Sequence, residues 1–252
     1  MANERLREAL LRNGLNTGHV ADATGVDQKT VERWITKGRV PYPRHRHTVA
    51  ALVKESETYL WPDAISQDRQ SEIAQSEVVA VYPHRNSVPS DLWSRLLANA
   101  NERIEVLVLA GLFLAEEPSF TRTIKQKAAQ GTSIRLLFGD PTAAEAKKRS
   151  SEERLAEGTV SARIQNALAL IAPLADIDGV DLRYHKTTLY NSVFRFDDQM
   201  IVNMHVYGQP GAYAPAMHLR KLAGGDLFDT YTTSFEHVWA TSTVPNLQVG
   251  AA

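Results

Sequence analysis

The sequence predicts two fold classes in one chain, an all-α module at the front and an α/β domain behind it. Three observations carry this reading. Over roughly the first sixty residues apolar side chains recur at helical spacing and no strand-like alternation appears. Beyond residue 78 or so, short apolar runs alternate with helical segments, the pattern of a partly parallel sheet. Charge is also unevenly divided: residues 1–54 hold ten Lys+Arg against five Asp+Glu, whereas the whole chain has 28 against 29. A basic module joined to an acidic one points to a polyanion partner for the first part only. At 252 residues the chain is long enough for two domains with separate cores.

Composition removes several function classes. Cysteine is absent, so disulfides, thiolate zinc sites and thiol catalysis are excluded. The longest apolar run, Val106 to Ala115, is too short to cross a bilayer, and the N-terminus has no apolar secretion signal. We expect a cytoplasmic protein with no membrane partner, no cofactor and no metal.

Within the front module, Leu6, Leu10 and Leu11 share one helical face, Val20 and Ala21 another, and Val31 with Trp34 a third. The stretch "TGHVADATGVDQKTVERW", 17 to 34, spells two short helices and a tight turn. Gly25 supplies the turn, Ala21 lets the helices cross closely, and Val20, Val26, Val31 and Trp34 give the pair its core. This is the spacing of a helix-turn-helix. Its second helix, about Asp27 to Thr36, would enter the major groove of double-stranded DNA by its N-terminal end. Gln28, Lys29, Thr30 and Arg33 then face outward, toward base edges or phosphates. The following "KGRVPYPRHRH" adds Lys37, Arg39, Arg44 and Arg46 for phosphate contact, and its prolines predict a wing or loop rather than another helix.

The polar stretch 64–77 contains the domain boundary. We place a DNA-binding domain at 1–62, a linker at 63–77, an α/β domain at 78–243 and a tail at 244–252. In the second domain "IEVLVLAG" (104–111) and "SIRLLFGD" (133–140) flank a helical segment ending at Gly131, a strand-helix-strand unit with parallel pairing. A long helical stretch, about 142 to 174, follows. Then come the strands "GVDLRYHK", "NSVFRF" and "QMIVNMHVYG", the last two joined by a turn at Asp197 and Asp198. Phe228, Tyr231, Phe235 and Trp239 recur at helical spacing and should dock a final helix on the sheet.

Two resemblances follow from these residues. "GVDQKTVERWITKGRVPYPRHR" with "YLWPD" resembles the N-terminal DNA-binding domains of bacterial helix-turn-helix transcription regulators, over about a quarter of the chain. "HKTTLYNSVFRFDD", 185 to 198, resembles the phospholipase D motif HxKxxxxD, whose histidine attacks phosphorus, lysine binds the phosphate and aspartate supports the motif. Here His185 stands at the nucleophile, Thr187 at the lysine and Ser192 at the aspartate. A threonine hydroxyl cannot supply the cation that phosphoryl transfer needs. A second near match, "HLRKLAGGD" from His218, has Gly225 where the aspartate belongs. The fold expected is therefore α+α/β, an all-α helix-turn-helix domain followed by a degenerate phospholipase D-like domain.

Polar residues on apparent core strands need partners from the protein or from a ligand. Asp140, His185, Thr187, Ser192, Asn203 and His205 are thus the candidates for a pocket holding a small phosphate-containing ligand. The resemblance further implies a homodimer. The function expected is a sequence-specific transcription regulator whose second domain dimerises, senses a ligand or does both. Its competitors are an active phosphodiesterase or nuclease using His185 and a second domain that is purely structural.

Overall fold

The computed structural model describes residues 2–64 and 74–245. Most of the expected linker and nearly all of the expected tail lie outside the described residues. The chain divides into two compact units, one of Met1–Glu77 with Lys221–Thr230 and one of Val78–Arg220 with Tyr231–Ala252. The first unit therefore includes a late stretch that the sequence pattern assigns to the second domain.

The first unit is helical: α1 Glu4–Arg12, α2 Thr17–Thr24, α3 Gln28–Thr36, α4 Pro43–Val53 and the single turn α5 Glu57–Leu60. Each of the first three begins at a side-chain cap. Asn3 accepts from the Leu6 N–H, Asn16 from the Gly18 and His19 N–H groups, and Asp27 from the Thr30 N–H at 2.8 Å. Leu6, Leu10, Val20, Val31, Trp34, Val49, Val53 and Leu60 form its buried core. Of the stretch after α3 expected to be a wing or loop rather than another helix, only the part before Pro43 is a loop; from Pro43 on it is α4. Pro43 sits in the first turn of that helix, where a missing N–H leaves no hydrogen bond unmade.

In the second unit a seven-stranded mixed sheet runs in the order β1-β7-β6-β5-β2-β3-β4. Its strands are β1 Val78–Tyr82, β2 Arg103–Val108, β3 Ser133–Gly139, β4 Val180–His185, β5 Asn191–Phe196, β6 Gln199–Met204 and β7 Ala216–Arg220. The parallel pairs are β2 with β3 and β3 with β4; the remaining pairs are antiparallel. Helices α6 Ser90–Asn99, α7 Leu112–Ala115, α8 Pro118–Ala129, α9 Ala144–Glu152, α10 Thr159–Ile171 and α11 Leu227–Ala240 accompany the strands, with short 3-10 turns between. The long helical stretch expected over about 142–174 is two helices. Arg154 and Gly158 take left-handed conformations, at φ 55° and 76°, and reverse the chain between them.

Strand parity sorts the two faces of the sheet. Ile104, Val106, Val108, Ile134, Leu136, Phe138 and Phe194 join one apolar cluster with Leu92 and Leu96 of α6, Phe120 and Ile124 of α8, and Ile164 and Leu168 of α10. The opposite face carries ions. Glu105, only 1% exposed, lies directly across from Arg135 on β3 and Arg195 on β5 and is ion-paired with both. Arg135 also binds Glu236 of α11 and lies over the Phe235 and Trp239 rings, so the aromatic stripe docks α11 around a guanidinium. At the β5–β6 turn Asp197, at φ 53°, accepts the N–H groups of Asn101, Glu102 and Arg103 at 2.7–2.9 Å.

Candidate functional site

In the first unit, α2 and α3 meet through a turn at Gly25, whose φ of 67° suits glycine. Val31, Trp34 and Ile35 bury one face of α3, while Gln28, Lys29 and Arg33 remain exposed on the other and Thr30 is half-buried. Gln28 Nε2 donates to Thr17 Oγ1 at 2.8 Å, a link between the first residues of the two helices. Thr30 donates its hydroxyl to Asp27 at 2.7 Å and is occupied in capping. Lys37, Arg39 and Arg44 are exposed. Arg46 is not. It is buried, its Nε 3.1 Å from Glu57 Oε2 and its Nη1 3.1 Å from the Pro41 carbonyl, so its charge is spent inside the unit and is not available to a phosphate.

In the second unit the candidate pocket residues separate into two groups. His185 is 2% exposed and both ring nitrogens are taken. A carbonyl can only accept, so Nε2–H donates to Val108 O at 3.0 Å, and Nδ1 accepts the Thr187 N–H at 3.2 Å. Burial holds its pKa below the ordinary value despite those bonds. Asp140 accepts from the Thr142 N–H and hydroxyl at 2.8 and 2.6 Å and pairs with Lys186 at 3.6 Å. Thr187 is half-buried beside them.

Ser192, Asn203 and His205 instead line an open cleft of about 370 Å³ at the C-terminal end of β2. Open α/β sheets place ligands at such strand ends. The chain leaves β2 through Gly111 at φ 64°, where a Cβ would stand 2.6 Å from Val108 Cγ2, so both space and backbone require glycine. Ser192 and Asn203 are register partners on β5 and β6. His205 Nδ1–H donates to the Leu189 carbonyl at 3.1 Å, which leaves Nε2 to accept the Ser192 hydroxyl at 3.1 Å. Burial, with Arg149 and Arg85 nearby, pushes the His205 pKa down to about 4. A serine beside a histidine has the outline of a nucleophile and its base, but a base of that strength removes few protons at neutral pH.

Three arginines complete the cleft, and sequence reading passed over all of them. Arg149 is fixed by Leu189 O at 2.8 Å and by Glu152 and Glu153 at 3.6 and 3.9 Å. Arg85 places its Cζ over the Phe113 ring, 3.7 Å from the centroid, and burial lowers its pKa to about 10. Arg163, on α10, is half-buried. Glu116 and Glu153 also line the space. Among the described residues no group of three His, Asp or Glu side chains could hold a metal ion, and no helix is long and apolar enough to cross a membrane.

No curated protein matches the chain. Among solved structures it is similar to TrmBL2, an archaeal chromatin protein whose structure shows a novel mode of DNA binding. The identity is 13% and the TM-score 0.43, over 68% of this chain and 55% of that one, so the chain spans about half the length of TrmBL2. It is also similar to Nuc, a phospholipase D family member from Salmonella typhimurium, with 11% identity and TM-score 0.41 over 65% of this chain and 96% of Nuc. For NucT from Helicobacter pylori the values are 9% and 0.41, over 66% and 98%. Residues 74–245, well over half of the chain, match the family model described as "Domain of unknown function (DUF5919)", and the chain belongs to that family.

Proposed function

We propose that the chain is a sequence-specific DNA-binding transcription regulator, read onto duplex DNA by α3 and regulated through a phospholipase D-like second domain that pairs with a second copy and senses a small ligand. The observation that carries this reading is α3 itself. Its capped N-terminus, a buried Val31–Trp34–Ile35 face and an opposite face of exposed Gln28, Lys29 and Arg33 are what groove entry demands. Exposed Lys37, Arg39 and Arg44 extend the positive surface for phosphate contact.

Catalysis is no part of the reading. His185 offers no free ring nitrogen. The supporting role that the phospholipase D resemblance gives to an aspartate suits Asp197, which gathers three backbone N–H groups. Counting the motif's spacing back from Asp197 reaches Ser192 and Tyr190, so in that register too both the lysine and the histidine are missing.

Genome-wide occupancy of the native protein, measured beside Arg33→Ala and Arg46→Ala, tests this. Discrete peaks sharing an inverted repeat, weakened about tenfold or more in Arg33→Ala, are expected. Arg46→Ala should lower stability by about 3 kcal/mol, because it leaves Glu57 buried without its partner. Diffuse occupancy indifferent to Arg33 would refute base reading, and phosphodiester cleavage that vanishes in His185→Ala would refute the non-catalytic assignment.

A further inference from the structure

The cleft at the end of β2 has a polarity of its own. Among the described residues Arg85 makes no side-chain hydrogen bond or ion pair; it is held only by Phe113 beneath it. Arg163 has no hydrogen bond or ion pair there either, and is drawn to Glu153 only through space. Arg149 is committed to Leu189 O and to Glu152 and Glu153, and so serves as a fixed wall. Two guanidinium forks are therefore left facing one concave space. An isolated cation in a partly dried site is costly unless an anion completes it, and the guanidinium geometry fits the paired oxygens of a carboxylate or phosphate.

The opposite side of the space presents lone pairs. Ser192 gives its only hydrogen to His205 Nε2, so on the cleft wall its oxygen is left as an acceptor. Asn203 directs its amide hydrogens to the Ala214 and Pro215 carbonyls at 3.3 and 3.0 Å, and Oδ1 is left facing Gly211 of the cleft rim. Both residues are buried, at 7% and 1% exposure, so these acceptors call for donors. A bare inorganic anion would satisfy the arginines and leave the acceptors poorly matched. Duplex DNA is far too large for a space of about 370 Å³.

We propose that the cleft binds a small organic oxyanion, its acidic group gripped by Arg85 and Arg163 and its hydroxyl or amino donors received by Ser192 Oγ and Asn203 Oδ1. This deepens the ligand-sensing half of the function proposed above, and gives the sensor its chemistry.

NMR titration of the full chain tests it, with glycerol 3-phosphate, glycerate, inorganic phosphate and glycerol as probes and the Gly111, Gly211 and Ala212 amides as reporters. Glycerol 3-phosphate or glycerate should shift these amides at lower concentration than inorganic phosphate, with glycerol inert; which of the two leads identifies the oxyanion. Arg85→Gln should weaken binding about tenfold or more. Arg163→Gln, at a half-exposed position, should do so independently, and Arg220→Gln, outside the cleft, should not. No amide shift with either organic anion up to roughly 10 mM would overturn the proposal. So would binding indifferent to both arginine variants, or shifts from glycerol equal to those from its phosphate. Gel-shift of the same variants on DNA separates the two claims, since intact DNA binding without oxyanion binding removes the sensor chemistry and leaves the DNA-reading helix standing.

Discussion

Protonating His205 means placing a third cation beside Arg85 and Arg149 in a site that burial has already dried. Its folded pKa of about 4 therefore lies below the ordinary 6.5. Above pH 6.5 neither the folded nor the unfolded chain protonates this ring, and stability is unaffected. As pH falls from 6.5 through 4 the unfolded chain takes up a proton that the folded chain refuses, and stability is lost across that window. The loss amounts to at most about 3 kcal/mol for a group this buried. His185 and His218 are shifted in the same direction, mainly by burial, and add to the slope. Urea unfolding between pH 4 and 7 should show His205→Gln to be markedly less acid-sensitive than the native chain. Equal slopes would mean that His205 carries a proton in the folded protein.

At the scale of elements, register is held by ions as well as by apolar residues. Glu105 stands opposite Arg135 on one neighbouring strand and Arg195 on the other, so a one-residue slip of β2 would put this carboxylate among the apolar side chains of the other face. Glu105→Ala leaves two largely buried guanidinium groups short of a partner and should cost about 3–5 kcal/mol, read by thermal or urea unfolding. Glu236 softens the loss, through its ion pair with Arg135 and by acting through space on Arg195. The strand-helix-strand unit over 104–140 was legible because continuous apolar runs mark buried parallel strands, and α2 and α3 because Gly25 and the Val31–Trp34 spacing punctuate them. β1 and β7 were not, since "VVAVY" and "AMHLR" are short and owe their order to pairing with each other and, for β7, with β6. The helix α4 was hidden by prolines whose position in its first turn makes them harmless. For the cleft, Ser192, Asn203 and His205 stood out as polar residues on core strands. Arg85, Arg149 and Arg163 did not, because only the fold brings residues so distant in sequence to one space.

At the scale of the whole molecule, the function proposed requires two copies. Tyr190 and Tyr207 are 80% and 83% exposed, and the His205 N–H bond to the Tyr190 carbonyl brings their loops together. Grouped exposed aromatics of this kind are unusual on a surface that stays wet. Light scattering of the purified chain should give a dimer, and Tyr190→Asp with Tyr207→Asp should give a monomer with weakened operator binding; an unchanged mass would place the pairing surface elsewhere. The first unit, for its part, is not finished by its own early sequence. Buried Glu77 accepts the Leu227 and Phe228 N–H groups at 3.0 Å, and Thr58 bonds to Asp226. Gly225 lies so close to the Glu77 carboxylate that any larger side chain would collide with it. During translation these partners emerge only after all seven strands of the sheet have been made. A polypeptide abandoned midway thus leaves the ribosome with its helical unit unsealed, and under the function proposed above, occupancy of an operator would be reserved for chains whose second domain has also been synthesised.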